Sequence, residues 1–419
     1  MTPRHGTVWI ESHRVGNLTE RDGRIGFAYD SSWLRTGFPI SLSVPLVGGE
    51  HDAHEFFAGL LPEGVARERI CRQLRLRNDD DLGLLLEIGL DCAGALAVTV
   101  DDDQPHSEAP AVPITADDLS RLIETGGQVL PRSAERPRFS LAGAQHKLAV
   151  RVEAGQLWLP SGGAPSSHIL KLEALPWVCF AEWAANDMAR RLGLPVCEAS
   201  LHHHRGDAAA PYLLVTRYDR ETDAEGNPRR MHQEDMTQAL GISRHLKYQE
   251  HGGPNMSMVA TLVRQQSANP IADIGALRDW QLFNYLVGNS DGHAKNLALL
   301  YASDPFVPRL APFYDLVCIE FLNRLGMRYD RKLAFFIGDN SVPEQVTRKD
   351  WTLFAQALGV PAKRLLERLR QFAADLPSHA RATRAVYADR FGDNPALDRL
   401  EESIRDRCQW TERSVFGRG

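Results

Sequence analysis

The stretch that decides the fold is GNSDGHAKN, residues 288–296. Its Asp291 and Asn296 are five positions apart, which is the D-x-x-x-x-N spacing of the protein-kinase catalytic loop, where the aspartate accepts a hydroxyl proton and the asparagine binds magnesium. Such chemistry needs a proton acceptor and a hard oxygen ligand on one short loop. The apolar segment WQLFNYLVG before it predicts a helix that ends at Gly288. NSDG is also good turn chemistry, so a plain turn is the alternative.

A second carboxylate follows in APFYDLV, residues 311–317. Asp315 lies nineteen residues after Asn296, and a kinase needs an acid there to bridge metal and phosphates. The segment would do the work of D-F-G, with its aromatic pair before the aspartate instead of after it. The alternative is that Asp315 caps the N-terminus of a following helix.

A lysine stands in the centre of an apolar strand in SHILKLE, residues 167–173. Burying Lys171 is costly unless it is paired, and its setting is similar to the V-A-I-K strand lysine that contacts nucleotide phosphates. Glu182 on the next helix is one possible ion-pair partner, and Glu173 is nearer in sequence. An edge-strand lysine that reaches water is the alternative.

A loop of small residues lies between two predicted strands in FSLAGAQHKLAV, residues 139–150. Small residues let backbone N–H groups approach phosphates closely. The sequence is neither G-x-G-x-x-G nor a Walker A motif, so a plain hairpin is the alternative. The predicted nucleotide-binding residues of this loop are Ser140, Ala142, Gly143, Ala144, Gln145 and Lys147.

The order of these segments predicts an α+β, two-lobed, protein-kinase-like fold with a small β-containing N-lobe, a helical C-lobe and an extra N-terminal β-rich module. The segment DDDQPHSEAPAVP is acidic and rich in proline, which is typical of a linker or loop. Helices are predicted over 362–376 and 378–390, separated by Pro377 with Ser378 as N-cap. The predicted divisions are an N-terminal module over 1–100, a linker over 101–113, the N-lobe over 114–228 and the C-lobe over 229–419.

The composition is that of an ordinary soluble globular protein. Of 419 residues, 43% are apolar and 24% are charged, and the net charge of −6 argues against a broad, nonspecific nucleic-acid binder. Six scattered cysteines are typical of buried thiols in a reducing compartment. The first residues lack the apolar core of a secretory signal, and the most apolar stretch, 82–100, is interrupted by Glu87 and Asp91. We therefore expect a cytoplasmic protein without a membrane partner.

Taken together, the motifs resemble one known family, the HipA kinase toxins of bacterial HipB–HipA toxin–antitoxin modules. The resemblance covers nearly the whole chain. The segments that carry it are LLPEG, FSLAGAQHK, ILKLE, TRYDR, HQEDMTQALG, NSDGHAKN and LAPFYD.

The resemblance implies a serine/threonine protein kinase that uses ATP and Mg²⁺. It implies Asp291 as catalytic base, Asn296 and Asp315 as magnesium ligands, and Lys171 as a contact to the ATP phosphates. The full set of further implied roles is His293 and Lys295 as catalytic-loop residues that position phosphate, Thr216 and Tyr218 as backbone contacts to adenine, and Ser140 as an autophosphorylation site that inactivates the enzyme.

The resemblance also implies partners. These are a HipB-like antitoxin, DNA only indirectly through that antitoxin, and a protein substrate such as an aminoacyl-tRNA synthetase or another translation component. Two departures from the family pattern are Thr216, where many members carry Glu, and His146, where Glu is frequent. A small-molecule kinase and a non-catalytic co-repressor are the rival functions.

Three other segments have open interpretations. His202, His203 and His204 are consecutive, and neighbours on a strand point to opposite faces, so they cannot all bind one metal from a strand. HQED, residues 232–235, fits either the active-site cleft or a cap on the following helix. The basic stretch 67–77 is interpreted as a solvated helix face, with contact to DNA as the alternative.

Overall fold

The computed structural model describes residues 4–100, 102–105, 111–127, 147–173, 175–206, 210–222, 228–301 and 306–417. Within those ranges, no helix has both the length and the apolar character needed to cross a lipid bilayer. The six cysteines all lie in the described ranges and are buried.

The first hundred residues form an antiparallel sheet, in strand order β4-β3-β2-β1-β5, covered by short helices. Alternate residues of one strand, Ile25, Phe27 and Tyr29, face the core, as the two-residue period of a strand requires. The elements are β1 (Gly6–Ile10), β2 (His13–Arg21), β3 (Arg24–Tyr29), α1 (Trp33–Thr36), β4 (Glu50–Asp52), α2 (His54–Gly59), α3 (Gly64–Leu74), α4 (Asp81–Ile88) and β5 (Leu96–Val100).

The basic stretch 67–77, which contains most of α3, is only partly a solvated face. Arg72, Arg75 and Arg77 are exposed. Arg67 is buried, and its guanidinium donates to the Asn78 carbonyl at 2.7 Å and to the Asp81 carboxylate at 2.6 Å. The interpretation of this stretch was therefore wrong at Arg67, because a buried carboxylate compensates its charge.

A second antiparallel sheet contains the neighbouring strands β11-β9-β7-β8-β6, in that order. Lys147 of β7 lies directly opposite Lys171 of β9, which lies opposite Leu213 of β11. The last two residues of the predicted linker form its edge strand. Strands β12 and β13 form a separate two-stranded sheet. In chain order, the helices and strands of this part of the chain are β6 (Val112–Pro113), α5 (Ala116–Glu124), β7 (Lys147–Glu153), β8 (Gln156–Leu159), β9 (His168–Leu172), α6 (Val178–Arg191), β10 (Ala199–His203), β11 (Pro211–Thr216), β12 (Arg220–Thr222) and β13 (Pro228–Arg230).

The rest of the chain is mostly helical. The elements are β14 (Gln233–Asp235), α7 (Met236–Ala239), α8 (Met256–Gln266), α9 (Pro270–Val287), β15 (Ala298–Tyr301), β16 (Pro308–Leu310), α10 (Ile319–Arg324), α11 (Arg348–Ala357), α12 (Ala362–Phe391) and α13 (Ala396–Thr411).

The prediction of two helices separated at Pro377 was wrong, because α12 continues through that proline. A proline inside a helix removes one hydrogen bond and costs about 3 kcal/mol. Buried side chains on both sides of it, including Leu369, Leu376 and Ala380, offset that cost. Ser378 is not an N-cap, since its hydroxyl donates to the Asp375 carbonyl within the helix, at 2.7 Å.

The chain folds into two compact units that each draw on several segments. The first unit contains residues 1–174, 212–245 and 298–306, and the second contains residues 175–211, 246–297 and 307–419. In the first unit, one hydrophobic core includes Val8 and Phe27 of the N-terminal sheet together with Leu148 and Leu170 of the second sheet. The N-terminal sheet and the second sheet therefore share a core, while the predicted domain boundaries remain predictions.

Candidate active site

Helix α9 delivers the loop 288–296 as the sequence predicts. The helix ends at Val287, and Gly288 caps it in the left-handed region with φ of 68° and its N–H donating to the Asn284 carbonyl. A Cβ at this position would also come within 2.6 Å of the Glu320 side chain. Glycine is therefore required here on two grounds, backbone conformation and space.

The loop is held by its own hydrogen bonds. The Asp291 N–H donates to the Asn289 side chain at 3.2 Å, and the His293 N–H donates to the Asp291 carbonyl at 2.9 Å. The His293 N–H also lies 3.1 Å from the Asn296 amide oxygen. An amide oxygen has two lone pairs, so Asn296 can accept this bond and still offer an oxygen to a metal.

The predicted catalytic residues differ in exposure. His293, Lys295 and Asn296 are buried, whereas 57% of the Asp291 side chain is exposed. The Tyr248 hydroxyl donates to Asp291 Oδ1. His293 Nε2 lies 3.9 Å from the same oxygen. The carboxylate is thus presented at the surface of the second unit, with one of its oxygens engaged.

The segment of Asp315 is anchored to both α9 and the loop. The Tyr314 hydroxyl donates to the Lys295 carbonyl at 2.6 Å. The Phe313 ring is buried against Trp280 of α9, with ring centroids 6.1 Å apart. Within the second unit, Tyr314 is thus hydrogen-bonded to Lys295. Asp315 directly follows Tyr314, and Asn296 directly follows Lys295.

Asp315 has an unusual backbone conformation, with φ of 53°. Aspartate and asparagine tolerate the left-handed region better than other non-glycine residues do. The following helix, α10, begins at Ile319 with Cys318 as its N-cap residue. The alternative interpretation of Asp315 as a helix cap is therefore wrong.

In the first unit, two predicted phosphate-binding lysines lie on one face of the second sheet. Lys171 is buried, and it is the direct cross-strand neighbour of Lys147. Like charges placed directly opposite each other repel. Both lysines are directed to the same face of the sheet, and their contact with nucleotide phosphates remains a prediction.

Thr216 and Tyr218, the predicted adenine contacts, lie in the segment VTRYDR, residues 215–220, which we call the hinge and which also belongs to the first unit. Thr216 lies opposite His168, three positions along the strand from the Leu213–Lys171 pair. Because side chains alternate between faces, the Thr216 side chain points to the face opposite to that of Lys171. The predicted contact of Thr216 to adenine uses its backbone groups. Threonine in place of the glutamate that many family members carry leaves those groups unchanged. The Tyr218 hydroxyl donates to the Gln233 side chain.

The arginines of TRYDR form a buried ionic network that sequence reasoning missed. Asp91 accepts hydrogen bonds from Arg220 at 2.8 Å and from Arg230 at 3.2 Å, and lies 3.5 Å from Arg217. Arg217 also donates to Asp219 at 2.7 Å. Burial alone would raise the pKa of Asp91, but the three guanidinium groups outweigh it and hold that pKa far below its ordinary value. The available signal was an acid inside the apolar stretch 82–100, although Glu87 in the same stretch shows that this signal is not specific.

HQED contributes buried structure within the first unit. Asp235 caps α7 through the Thr237 and Gln238 N–H groups, as one of the two predicted alternatives requires. Glu234 accepts hydrogen bonds from the Ser41 hydroxyl at 2.5 Å, from the Leu42 N–H at 3.2 Å and from the Tyr301 hydroxyl.

The histidine run lies on and just after β10 in the second unit. The His203 ring stacks on Phe391, with centroids 4.0 Å apart, and His202 Nε2 lies 2.9 Å from the Ser200 hydroxyl. In the part of the chain that the structure describes, no group of three or more His, Cys, Asp or Glu side chains could hold a metal ion. Magnesium in a kinase is held instead by one carboxylate, one amide oxygen and phosphate oxygens, which Asp315 and Asn296 fit by chemistry.

Several predicted nucleotide-binding residues lie outside the described residues. They are Ser140, Ala142, Gly143, Ala144 and Gln145. Their roles remain predictions.

A loop with D-x-x-x-x-N spacing at a helix exit, an anchored aspartate after it and a strand with a buried lysine correspond to parts of a protein-kinase-like phosphotransferase. Two family models match the chain, the HipA N-terminal domain over residues 6–99 and the HipA-like C-terminal domain over residues 139–380. The chain belongs to the HipA family of kinases.

Sequence similarity to individual proteins supports this family assignment. The protein Y4mE of Sinorhizobium fredii is 32% identical over 429 residues, which cover 99% of this chain and 100% of the relative. The serine/threonine-protein kinase toxin HipA of Shewanella oneidensis is 28% identical over 392 residues and 88% of each chain.

A solved structure has a similar fold. A chain in the structure of the Shewanella oneidensis MR-1 complex of HipA, HipB and operator DNA matches with a TM-score of 0.82 and 25% identity, over 97% of both chains. The predicted α+β kinase-like fold with an N-terminal β-rich module is thereby confirmed.

Proposed function

We propose that this chain transfers the γ-phosphoryl group of ATP to a serine or threonine hydroxyl of a protein substrate. In this step the hydroxyl oxygen forms a bond to the γ-phosphorus, and the bond from that phosphorus to the β–γ bridging oxygen breaks. The hydroxyl proton passes to the Asp291 carboxylate, and ADP leaves. The observation that carries the proposal is the hydrogen bond from Tyr314 to the Lys295 carbonyl, because it ties the Asp315 segment to the loop of Asp291 and Asn296.

The other residues have supporting roles in this proposal. Asn296 and Asp315 would hold the magnesium ion, which neutralises charge on the phosphates. Lys147 and Lys171 would hold the phosphate chain, with the loop of Ser140, Ala142, Gly143, Ala144 and Gln145. His293 and Lys295 would orient the transferring group, and the backbone at Thr216 and Tyr218 would bind adenine.

The partners and the regulation belong to the same proposal. The likeness to a chain of a HipA–HipB–operator complex supports a HipB-like antitoxin as partner, with DNA reached through that antitoxin. The substrate would be a translation component such as an aminoacyl-tRNA synthetase. Autophosphorylation of Ser140 would switch the enzyme off by adding nearly two negative charges. The use of ATP and of a DNA-bound partner implies action in the cytoplasm.

The test is Asp291→Asn, which keeps the size of the side chain and removes the proton acceptor. A general base contributes roughly 10²–10⁴-fold to rate, so labelling from γ-labelled ATP should fall by about that factor while magnesium-dependent ATP binding persists. Phosphoproteomics after brief induction would then identify the acceptor proteins and Ser140 by their loss in the variant. Asp389→Asn, at an exposed position on α12, is the matched control. Labelling at the wild-type rate by Asp291→Asn would contradict the proposal.

A further inference from the structure

Tyr248 makes a contact that the proposed mechanism does not yet use. Its hydroxyl donates to Asp291 Oδ1, across 43 positions of sequence. The Asp291 side chain is 57% exposed, and an exposed aspartate without a fixed partner samples several rotamers. A proton acceptor that rotates freely is in the reactive geometry for only part of the time.

The segment of Tyr248 is fastened to the second unit on both sides. The Ala294 N–H donates to the Lys247 carbonyl at 3.2 Å, which joins the segment to the catalytic loop itself. The Gln249 N–H donates to the Ala334 carbonyl at 3.1 Å. The Gly253 N–H donates to the Tyr248 carbonyl at 3.0 Å. The backbone that carries the hydroxyl is therefore fixed relative to Asp291.

The Tyr248 ring is oriented as well. It meets the His293 ring edge to face, with centroids 5.1 Å apart and planes at 86°. It meets the His251 ring at 5.8 Å. Position 253 admits no side chain, since a Cβ there would lie 2.1 Å from the Leu246 carbonyl oxygen. The close turn that places Tyr248 beside His293 thus depends on glycine at that position.

We propose that Tyr248 is a positioning residue that, through its hydrogen bond to Oδ1, fixes the orientation of the Asp291 carboxylate that takes the substrate proton. This inference rests on the proposed function, in which Asp291 is the base. His293 Nε2, 3.9 Å from the same Oδ1, lies on the anchored side of the carboxylate.

The test is Tyr248→Phe, which removes one oxygen and keeps the ring packing against His293. Phosphoryl transfer from γ-labelled ATP to a degenerate library of serine and threonine peptides gives kcat and the KM for ATP. A misplaced reacting group costs up to about 10²-fold in rate, so we expect kcat to fall roughly 10–100-fold with the KM for ATP unchanged.

Two further variants distinguish a failure of the positioning role from a failure of the proposed function. Tyr387→Phe removes the same atom from a tyrosine in the aromatic cluster around Phe180 and should leave kcat at the wild-type value. If Asp291→Asn is inactive and Tyr248→Phe has wild-type kcat, the positioning role is overturned and the proposed function stands. If Tyr248→Phe raises the KM for ATP and lowers the melting temperature along with kcat, its role is structural and the proposal is also overturned. An active Asp291→Asn overturns the proposed function itself.

Discussion

At the scale of single residues, Asp315 combines a chemical and a conformational requirement. Its φ of 53° lies in the left-handed region, which costs most non-glycine residues about 1 kcal/mol or more. The short polar side chains of aspartate and asparagine reduce that cost by bonding locally. Asp315 is also the proposed magnesium ligand. Substitutions that differ in how well they tolerate this φ can therefore distinguish its role in binding magnesium from its effect on backbone strain.

We expect Asp315→Asn and Asp315→Ala to lose magnesium-dependent phosphoryl transfer alike, by more than about 100-fold, since both remove the charged ligand. Only Asp315→Ala should lower the free energy of unfolding, by about 1 kcal/mol relative to Asp315→Asn, because alanine tolerates this φ less well. Denaturant unfolding of both variants measures the difference. Equal stabilities would show that position 315 is not strained in this way.

Features that depend on residues close together in sequence could be predicted from the sequence. Contacts between residues far apart in sequence could not. The helix end at Gly288 and the loop after it follow from local rules of capping and spacing. Tyr248 is 43 positions from Asp291, and Asp91 is 126 from Arg217. No local pattern links such pairs, because the tertiary fold alone decides which distant segments meet. The continuity of α12 through Pro377 was missed for the same reason, since core packing outweighs the proline's local cost.

At the scale of elements, β14 and the residue before it carry two buried titratable groups whose pKa values are shifted in opposite directions. Burial raises the pKa of Glu234 to about 7 despite its hydrogen bonds from Ser41 and Tyr301. Burial lowers the pKa of His232, on the residue before β14, to about 4. Both side chains are therefore held neutral in the folded state over the range between those values.

The Glu234 shift predicts a specific dependence of stability on pH. Between its ordinary pKa of 4.5 and about 7, the unfolded chain has lost this proton while the folded chain keeps it. The free energy of unfolding therefore falls as pH rises through that window. Relative to Glu234→Gln, the wild type should lose roughly 3 kcal/mol between pH 4.5 and 7.5.

Denaturant unfolding of wild type and Glu234→Gln at several pH values in this window checks the prediction. Taking the difference between the two proteins removes the contributions of His232 and of all other shared groups. A difference that stays constant with pH would mean that Glu234 ionises normally.

At the scale of the whole molecule, the N-terminal module and the hinge are joined through the Asp91 network within the first unit. Asp91 is fully buried and contacts Arg217, Arg220 and Arg230. Breaking a buried ion pair from one side leaves uncompensated charge and typically costs 3–5 kcal/mol. We expect Asp91→Asn to lower the free energy of unfolding by about that amount, measured by denaturant titration.

The matched control is Glu11→Gln. Glu11 pairs with Arg229 at 3.1 Å and so links the N-terminal module to β13, the strand that also carries Arg230, but both side chains are about half exposed. An exposed pair contributes about 0–1 kcal/mol, so this variant should stay within that range. Equal effects of the two carboxylate-to-amide changes would show that the buried network does not join the module to the hinge.

The interleaving of the two units also constrains how this protein is made. The first unit needs residues 298–306, and β15, with Tyr301, pairs with β14 only after the catalytic loop has been translated. At a synthesis speed of roughly 5–20 residues per second, a nascent chain waits about 10–40 s between the end of the N-terminal sheet and the arrival of that strand on the ribosome. From the synthesis of Glu234 to that of Tyr301, about 3–13 s at the same speed, the Glu234 carboxyl lacks the Tyr301 hydroxyl. The first unit, which contains the earliest part of the chain to emerge, is therefore completed late.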